Sequence, residues 1–200
     1  MEVKIPVKKK AKEKFDKIIK SADQEFYEYG YEKASIANIT RNADVAVGTF
    51  YLYFEDKLSL YHYILFDYQS RIKNYQNERI KGCKTRKEKE RMGLIAWLEF
   101  INENPHAYNI IWQSLAIDKT LFIDYYSKFK KSYEKRLTRD ENQIENINKE
   151  DLSLMLMGTS TFLGLKSMLN NETKLSQEEI ENTANSIISI LETGLFKKSN

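Results

Sequence analysis

Residues 35–57 gather onto two short helical stretches residue types suited to meeting a phosphate or a base edge: a serine at a helix start, a Gly-Thr step, two tyrosines and a lysine. Ser35 stands as an N-cap before Ile36, Ile39 and Ala43, which recur on one helical face. Asp44 takes the turn, and Val45 plugs the angle to a second helix over 46–54. In that helix Phe50 and Phe54 lie one turn apart and pack inward, leaving Val47, Gly48, Thr49, Tyr51 and Tyr53 wholly or partly outward. Such a surface on a short helix is costly unless something covers it. Two helices joined by a tight turn are the plan that seats one helix in the major groove of DNA. The alternative for the tyrosines is packing on neighbouring helices with only their hydroxyls wet.

Catalytic chemistry finds little support. His62 and His106 fall on different expected helices, with no Cys or His at ligand spacing, so no metal site is expected. There is no phosphate-cradling Gly-rich loop, no nucleophile elbow and no strand framework to carry either. The chain is therefore expected not to be an enzyme, with no catalytic residue and no cofactor. Cys83 cannot form an internal disulfide, which points to a reducing, intracellular setting. It sits beside Gly82 among Lys81, Lys84 and Arg86, where an inert surface thiol and a redox switch are both open readings. The N-terminus is charged and lacks an apolar core, so no signal peptide is expected. No apolar run reaches the roughly 18–20 residues that span a bilayer. A cytoplasmic protein with no membrane partner follows.

The elements that must position the outward surface are helices. Charged residues make up 30% of the chain and there are seven Gly and two Pro, a balance that favours long solvated helices over sheet. The expectation is an all-α chain of about nine helices, with a three-helix head over 1–56 and a helical body over 57–200. Phe15, Ile18, Ile19, Ala22 and Phe26 form the stripe of a first helix over 8–29, and Gly30 suits the left-handed position after it. A long helix over 57–81 follows Asp56 as its cap, and Gly82 ends it. Thr85 with Glu88, and later Ser176 with Glu179, have the spacing of capping boxes, while Pro105 fits a first helical position. Residues 138–148 are polar and read as a loop. The helix over 149–170 is apolar on more than one side. The last helix has the most regular stripe: Ile180, Ala184, Ile187, Ile188, Leu191 and Leu195. Residues 1–20 hold eight lysines against three acids, whereas the whole chain is only +3. That arm suits phosphate contact, although many disordered termini are basic too.

Residues from about 15 to 64 resemble the DNA-binding domain of the tetracycline-repressor-like (TetR) family of bacterial regulators. The likeness is carried by Ala22 and Phe26, Gly30-Tyr31, Ser35-Ile36, Ile39, Ala43, Val45, Gly48-Thr49-Phe50-Tyr51, Tyr53-Phe54 and Lys57, in order and without a gap. Asp44 departs from the usual Gly, Ala46 from the usual Ser or Thr, and Val47 from a common polar residue. These departures bear on which operator is read.

The resemblance implies a transcriptional regulator, most simply a repressor released from a near-palindromic operator in double-stranded DNA by a small apolar or aromatic molecule. On this reading Val47 and Thr49 meet base edges. Ser35, Tyr51, Tyr53 and Lys57 meet phosphates, Ala46 lies at the same surface, and Gly48 keeps it low. The resemblance also implies an effector pocket in the body, for which Trp97, Ile101, Tyr108, Trp112, Phe122, Tyr125, Tyr126, Phe129 and Phe162 are the candidates, with ordinary core packing as the plain alternative. It implies a homodimer through the last two helices, with Met155, Phe162, Leu163, Ile180, Ala184, Ile187, Ile188, Leu191 and Leu195 as interface candidates. Two rivals remain: a helical dimer acting by protein–protein contact, and an orphan regulator with no ligand.

Overall fold

The computed structural model describes residues 3–169 and 174–194. Among them are nine α-helices and no strand: α1 (Lys9–Lys33), α2 (Ile36–Asn42), α3 (Val47–Phe50), α4 (Lys57–Arg79), α5 (Arg86–Glu103), α6 (Pro105–Ile117), α7 (Lys119–Arg139), α8 (Lys149–Leu169) and α9 (Gln177–Thr193). A single 3-10 turn, Glu141–Gln143, interrupts the loop before α8. The helix boundaries follow local chemistry. Gly30 has φ 74° and breaks the helical run of α1 before its last turn. The Thr85–Glu88 and Ser176–Glu179 capping boxes close in both directions and start α5 and α9.

The second helix of the expected reader is shorter than its pattern. α3 ends at Phe50, and Tyr51–Tyr53 continue as a turn in which Leu52 N–H donates to Thr49 O and Tyr53 N–H to Phe50 O. The reason is local. Ala46 offers no capping oxygen, and Val47, Gly48 and Thr49 are weak helix formers.

The chain divides into two compact units: residues up to Ser70 with His106–Tyr125, and Arg71–Pro105 with the residues from Tyr126 on. The core of the first unit is aromatic. Phe15 stacks on Phe54 at 5.3 Å and meets Tyr53 and Tyr63 edge-on at 5.4 and 5.1 Å. Ile18, Ala22, Phe26, Ile39, Phe50 and Leu60 are sealed around them.

The second unit is built on α5, which packs against α8 and α9. From Leu94 to Ile101 α5 is buried on every side, as a central helix must be. The Asn102 amide donates to Leu175 O and accepts from Leu175 N–H, at 3.0 and 2.8 Å, pinning the approach to α9. At the other end of α5, Arg86 and Lys89 pair with Asp140, and burial pushes the pKa of the Tyr133 hydroxyl, which donates to Glu90, up to about 12.

Candidate nucleic-acid interface

α2, the turn and α3 form the helix-turn-helix. Ser35 Oγ accepts from Asn38 N–H at 3.1 Å and starts α2. At its other end Asp44 adopts φ 55°, the left-handed position that the turn requires. Asp44 N–H donates to Arg41 O and Val45 N–H to Thr40 O, at 3.1 and 3.0 Å, which is the paired bonding of a Schellman motif. Aspartate tolerates this φ better than most residues with a Cβ. α2 is held to α1 by Ser21 Oγ donating to Ile39 O at 2.8 Å.

The outward face of α3 is real and small. Val47 is 47% exposed and Tyr51 55%. Ala46 and Gly48 are exposed, and Thr49 is half-buried. A Cβ added at Gly48 would meet nothing within 4 Å in this chain. Tyr53 is different: it is 7% exposed, and its hydroxyl donates to Ala11 O at 3.0 Å. It packs on α1 with its hydroxyl bonded rather than wet, and it is not open to a phosphate.

Lys57 is also committed elsewhere. Its ammonium donates to the carbonyls of Tyr31, Glu32 and Ala34 at 2.6, 3.3 and 2.9 Å, and lies 4.3 Å from the Tyr31 ring centre. These are carbonyls at the C-terminal end of α1, where a cation is favoured. The Tyr31 phenol stays neutral beneath it, because burial, and then the charges of Asp56 and Glu32, push its pKa up. The Tyr31 N–H donates to Gln113 Oε1 at 3.1 Å, which brings α6 to the same corner.

Two exposed residues beside this surface escaped sequence reasoning. Arg41, near the end of α2, is the sole cation from Ala34 to Asp56, and among the described residues its guanidinium reaches only Asn38 Oδ1, at 2.9 Å. Its phase opposite Ile36, Ile39 and Ala43 was the available signal. Leu52 is 64% exposed, and its phase opposite Phe50 and Phe54 was the signal that could have found it.

The aromatic pocket candidates fall in both units. Tyr108, Trp112, Phe122 and Tyr125 belong to the first, Trp97, Ile101, Tyr126, Phe129 and Phe162 to the second. Tyr108, Tyr125 and Ile101 are core residues. The Trp97 indole N–H donates to Ser160 O at 2.9 Å and joins α5 to α8. Phe129 stacks on Tyr133, and burial raises the Tyr126 pKa. Phe162 is 67% exposed and lines no interior. Trp112 stands out: its indole nitrogen is buried with no hydrogen-bond partner among the described residues. A groove of about 400 Å³ in the first unit is lined by Val3, His62, Tyr63, Phe66, Asp67 and Ser70, none from the expected set.

The dimer candidates separate by face. Ile180, Ala184 and Ile188, spaced four apart, are already buried within the chain, on the helix that packs against α5. They are core, because the stripe of α9 is wide enough to serve two faces. Met155, Phe162 and Leu191 are exposed, Leu163 and Ile187 half-buried, and Leu195 lies outside the described residues. Leu154 and Ile190 add to the open apolar surface of α8 and α9.

Comparison with known proteins gives this geometry its relatives. Residues 18–64 match the family described as bacterial regulatory proteins, tetR family. Over 47 residues the chain is 47% identical to an HTH-type transcriptional regulator, YvdT, of Bacillus subtilis (strain 168), a match that spans 24% of each chain. In fold it is similar to the fatty acid degradation regulator FadR of Bacillus halodurans, with a TM-score of 0.80 and 18% identity over 92% of this chain and 97% of that one. It is likewise similar to the regulator FadR of Bacillus subtilis, solved in complex with stearoyl-CoA, with a TM-score of 0.75 and 20% identity over 91% of this chain and 100% of that one.

Lys57→Ala leaves the α1 carbonyls without their cation. Urea unfolding should show a loss of about 1–3 kcal/mol, as for hydrogen bonds to a charged group. The slope of log affinity against log salt on duplex DNA should stay at the wild-type value. Unchanged stability with a slope about one unit flatter would return Lys57 to phosphate contact.

Proposed function

From a head that belongs to the tetR family of bacterial regulatory proteins, we propose that this chain is a DNA-binding transcriptional regulator: a homodimeric repressor that a small apolar molecule releases from its operator. The observation that carries the reading is the outward ridge of Val47, Gly48, Thr49 and Tyr51 on a helix-turn-helix whose inner side, Ile39, Ala43 and Phe50, is buried. Val47 and Thr49 face base edges, where a valine can touch a thymine methyl but cannot make a bidentate contact to guanine. Ser35, Tyr51 and Arg41 face phosphates. Lys57 and Tyr53 position the reader rather than touch DNA.

Two copies join through the outer side of α8 and α9, where Met155, Phe162, Leu191 and Ile190 leave apolar area open on one protomer. The effector reading draws on FadR of Bacillus subtilis and its stearoyl-CoA, which makes long-chain acyl-CoA the first compound to test. The buried indole N–H of Trp112, without a partner among the described residues, supports it as a donor placed for an acceptor. Release is then linkage. Whatever factor a ligand costs in operator affinity, the operator costs in ligand affinity, and couplings of about 1–3 kcal/mol give 5- to 150-fold effects. The cytoplasm is where such a reader works.

Selection of bound duplexes from a random pool should recover a near-palindromic sequence, with acyl-CoA then screened for releasing it. Recovery of no duplex, or affinity indifferent to salt, would favour a protein-docking role instead. Gly48→Ala separates fold from function. The added methyl meets nothing within 4 Å among the described residues, so helix propensity makes the variant as stable or up to about 1 kcal/mol more stable. It should nevertheless bind the selected duplex at least several-fold more weakly; full affinity would remove α3 from the groove. Phe162→Asp with Leu191→Asp should sediment as a folded monomer, whereas Ile188→Asp should unfold the chain. A dimer surviving the double change would place the interface elsewhere.

A further inference from the structure

The helix-turn-helix is short of positive charge. From Ala34 to Lys57 the cations are Arg41 and Lys57, against Asp44, Glu55 and Asp56, and Lys57 is committed to the α1 carbonyls. A reader of a polyanion draws most of its affinity from phosphate neutralisation. The cations must lie outside the reading motif.

They lie in the residues ahead of it. Lys4, Lys8, Lys9, Lys10, Lys12 and Lys14 are all exposed, and none makes an ion pair among the described residues. Lys8 is the N-cap of α1 without a side-chain cap bond, and no acid occupies the first turn. Cations at the positive end of a helix oppose its dipole. Nothing among the described residues offsets this, and a local rule broken without compensation marks a functional surface.

This arm is also fixed in place. Lys4 N–H donates to Tyr53 O at 3.0 Å, while the Tyr53 hydroxyl donates to Ala11 O at 3.0 Å. One residue thus clasps both ends of the segment 4–11, and Pro6 narrows the backbone between them. Tyr53 follows Tyr51 by two positions and Thr49 by four, so the clasp registers the lysines to the reading surface.

We infer that residues 4–14 are a clasped phosphate arm, whose lysines grip the DNA backbone flanking the bases read by α3. The inference rests on the DNA-binding reading of the chain. It assigns most of the electrostatic affinity to a segment outside the helix-turn-helix, and it gives Tyr53 the task of holding that segment in register.

The test uses the full chain on a selected duplex and on an unrelated one, across a range of salt concentrations. A K8A/K9A/K10A variant should show a log–log salt slope shallower by about 2–3 units. It should lose affinity by a similar factor on both duplexes, because phosphate contacts carry no base information. K4P and K4A lose the same charge, but only proline lacks the N–H. K4P should therefore bind about 2- to 10-fold more weakly than K4A, the range of one hydrogen bond. A wild-type slope in the triple variant overturns the arm, and K4P equal to K4A overturns the clasp. Vesicles of anionic lipid that capture the wild type but not the triple variant, with the DNA slope unchanged, hand the arm to a membrane surface and also overturn it. A wild-type chain that binds neither duplex defeats the DNA-binding reading itself, before any lysine has been replaced.

Discussion

The ammonium of Lys57 on the last carbonyls of α1 is the constraint around which the head is arranged. Three carbonyls that the helix leaves orphaned converge on one cation at the first residue of α4. Gly30 makes this possible: its positive φ turns the chain so that Tyr31, Glu32 and Ala34 present their oxygens together. Gln113 of α6 takes the neighbouring Tyr31 N–H. The relation between α1, α4 and α6 is thus set at one corner, and α2 and α3 are hung on α1 by Ser21 and the Phe15 aromatic cluster.

That corner gives the proposed switch its physical route. A regulator needs two arrangements of its reading helices, each favoured by a different ligand. α4 and α7 carry residues of both compact units, and α6 contributes Gln113 to the α1 corner. A ligand that biases the packing of α6 acts on the same few hydrogen bonds that aim the head. Small changes suffice, because packed corners of this kind hold discrete arrangements instead of deforming smoothly.

The charge pattern has a parallel logic. The outward surface of α3 is uncharged, with a valine, a glycine and a threonine where the proposed reading brings it up to base edges. Positive charge is displaced into the lysine arm, where it attracts any duplex without choosing among them.

Nearly every helix start and stop was legible in the chain, since caps, capping boxes and glycine breaks are chemistry between residues close in sequence. Gly30, Ser35, Asp44, Gly82, Thr85–Glu88 and Ser176–Glu179 all act within a few positions. The four-residue length of α3 was misread although its cause is local: the Phe50–Phe54 spacing fits both a helix and a tight turn, and it outweighed the weak start at Ala46–Thr49. The roles of Lys57, Tyr53 and the α9 stripe could be decided only by tertiary structure. Each depends on a partner more than twenty residues away: α1 carbonyls for Lys57, Ala11 for Tyr53, and α5 for Ile180, Ala184 and Ile188. Periodicity says that a face must be covered, and a lysine or tyrosine says that a polar end must be satisfied. What covers the one and satisfies the other is a matter of which distant surfaces meet, and no local spacing encodes that.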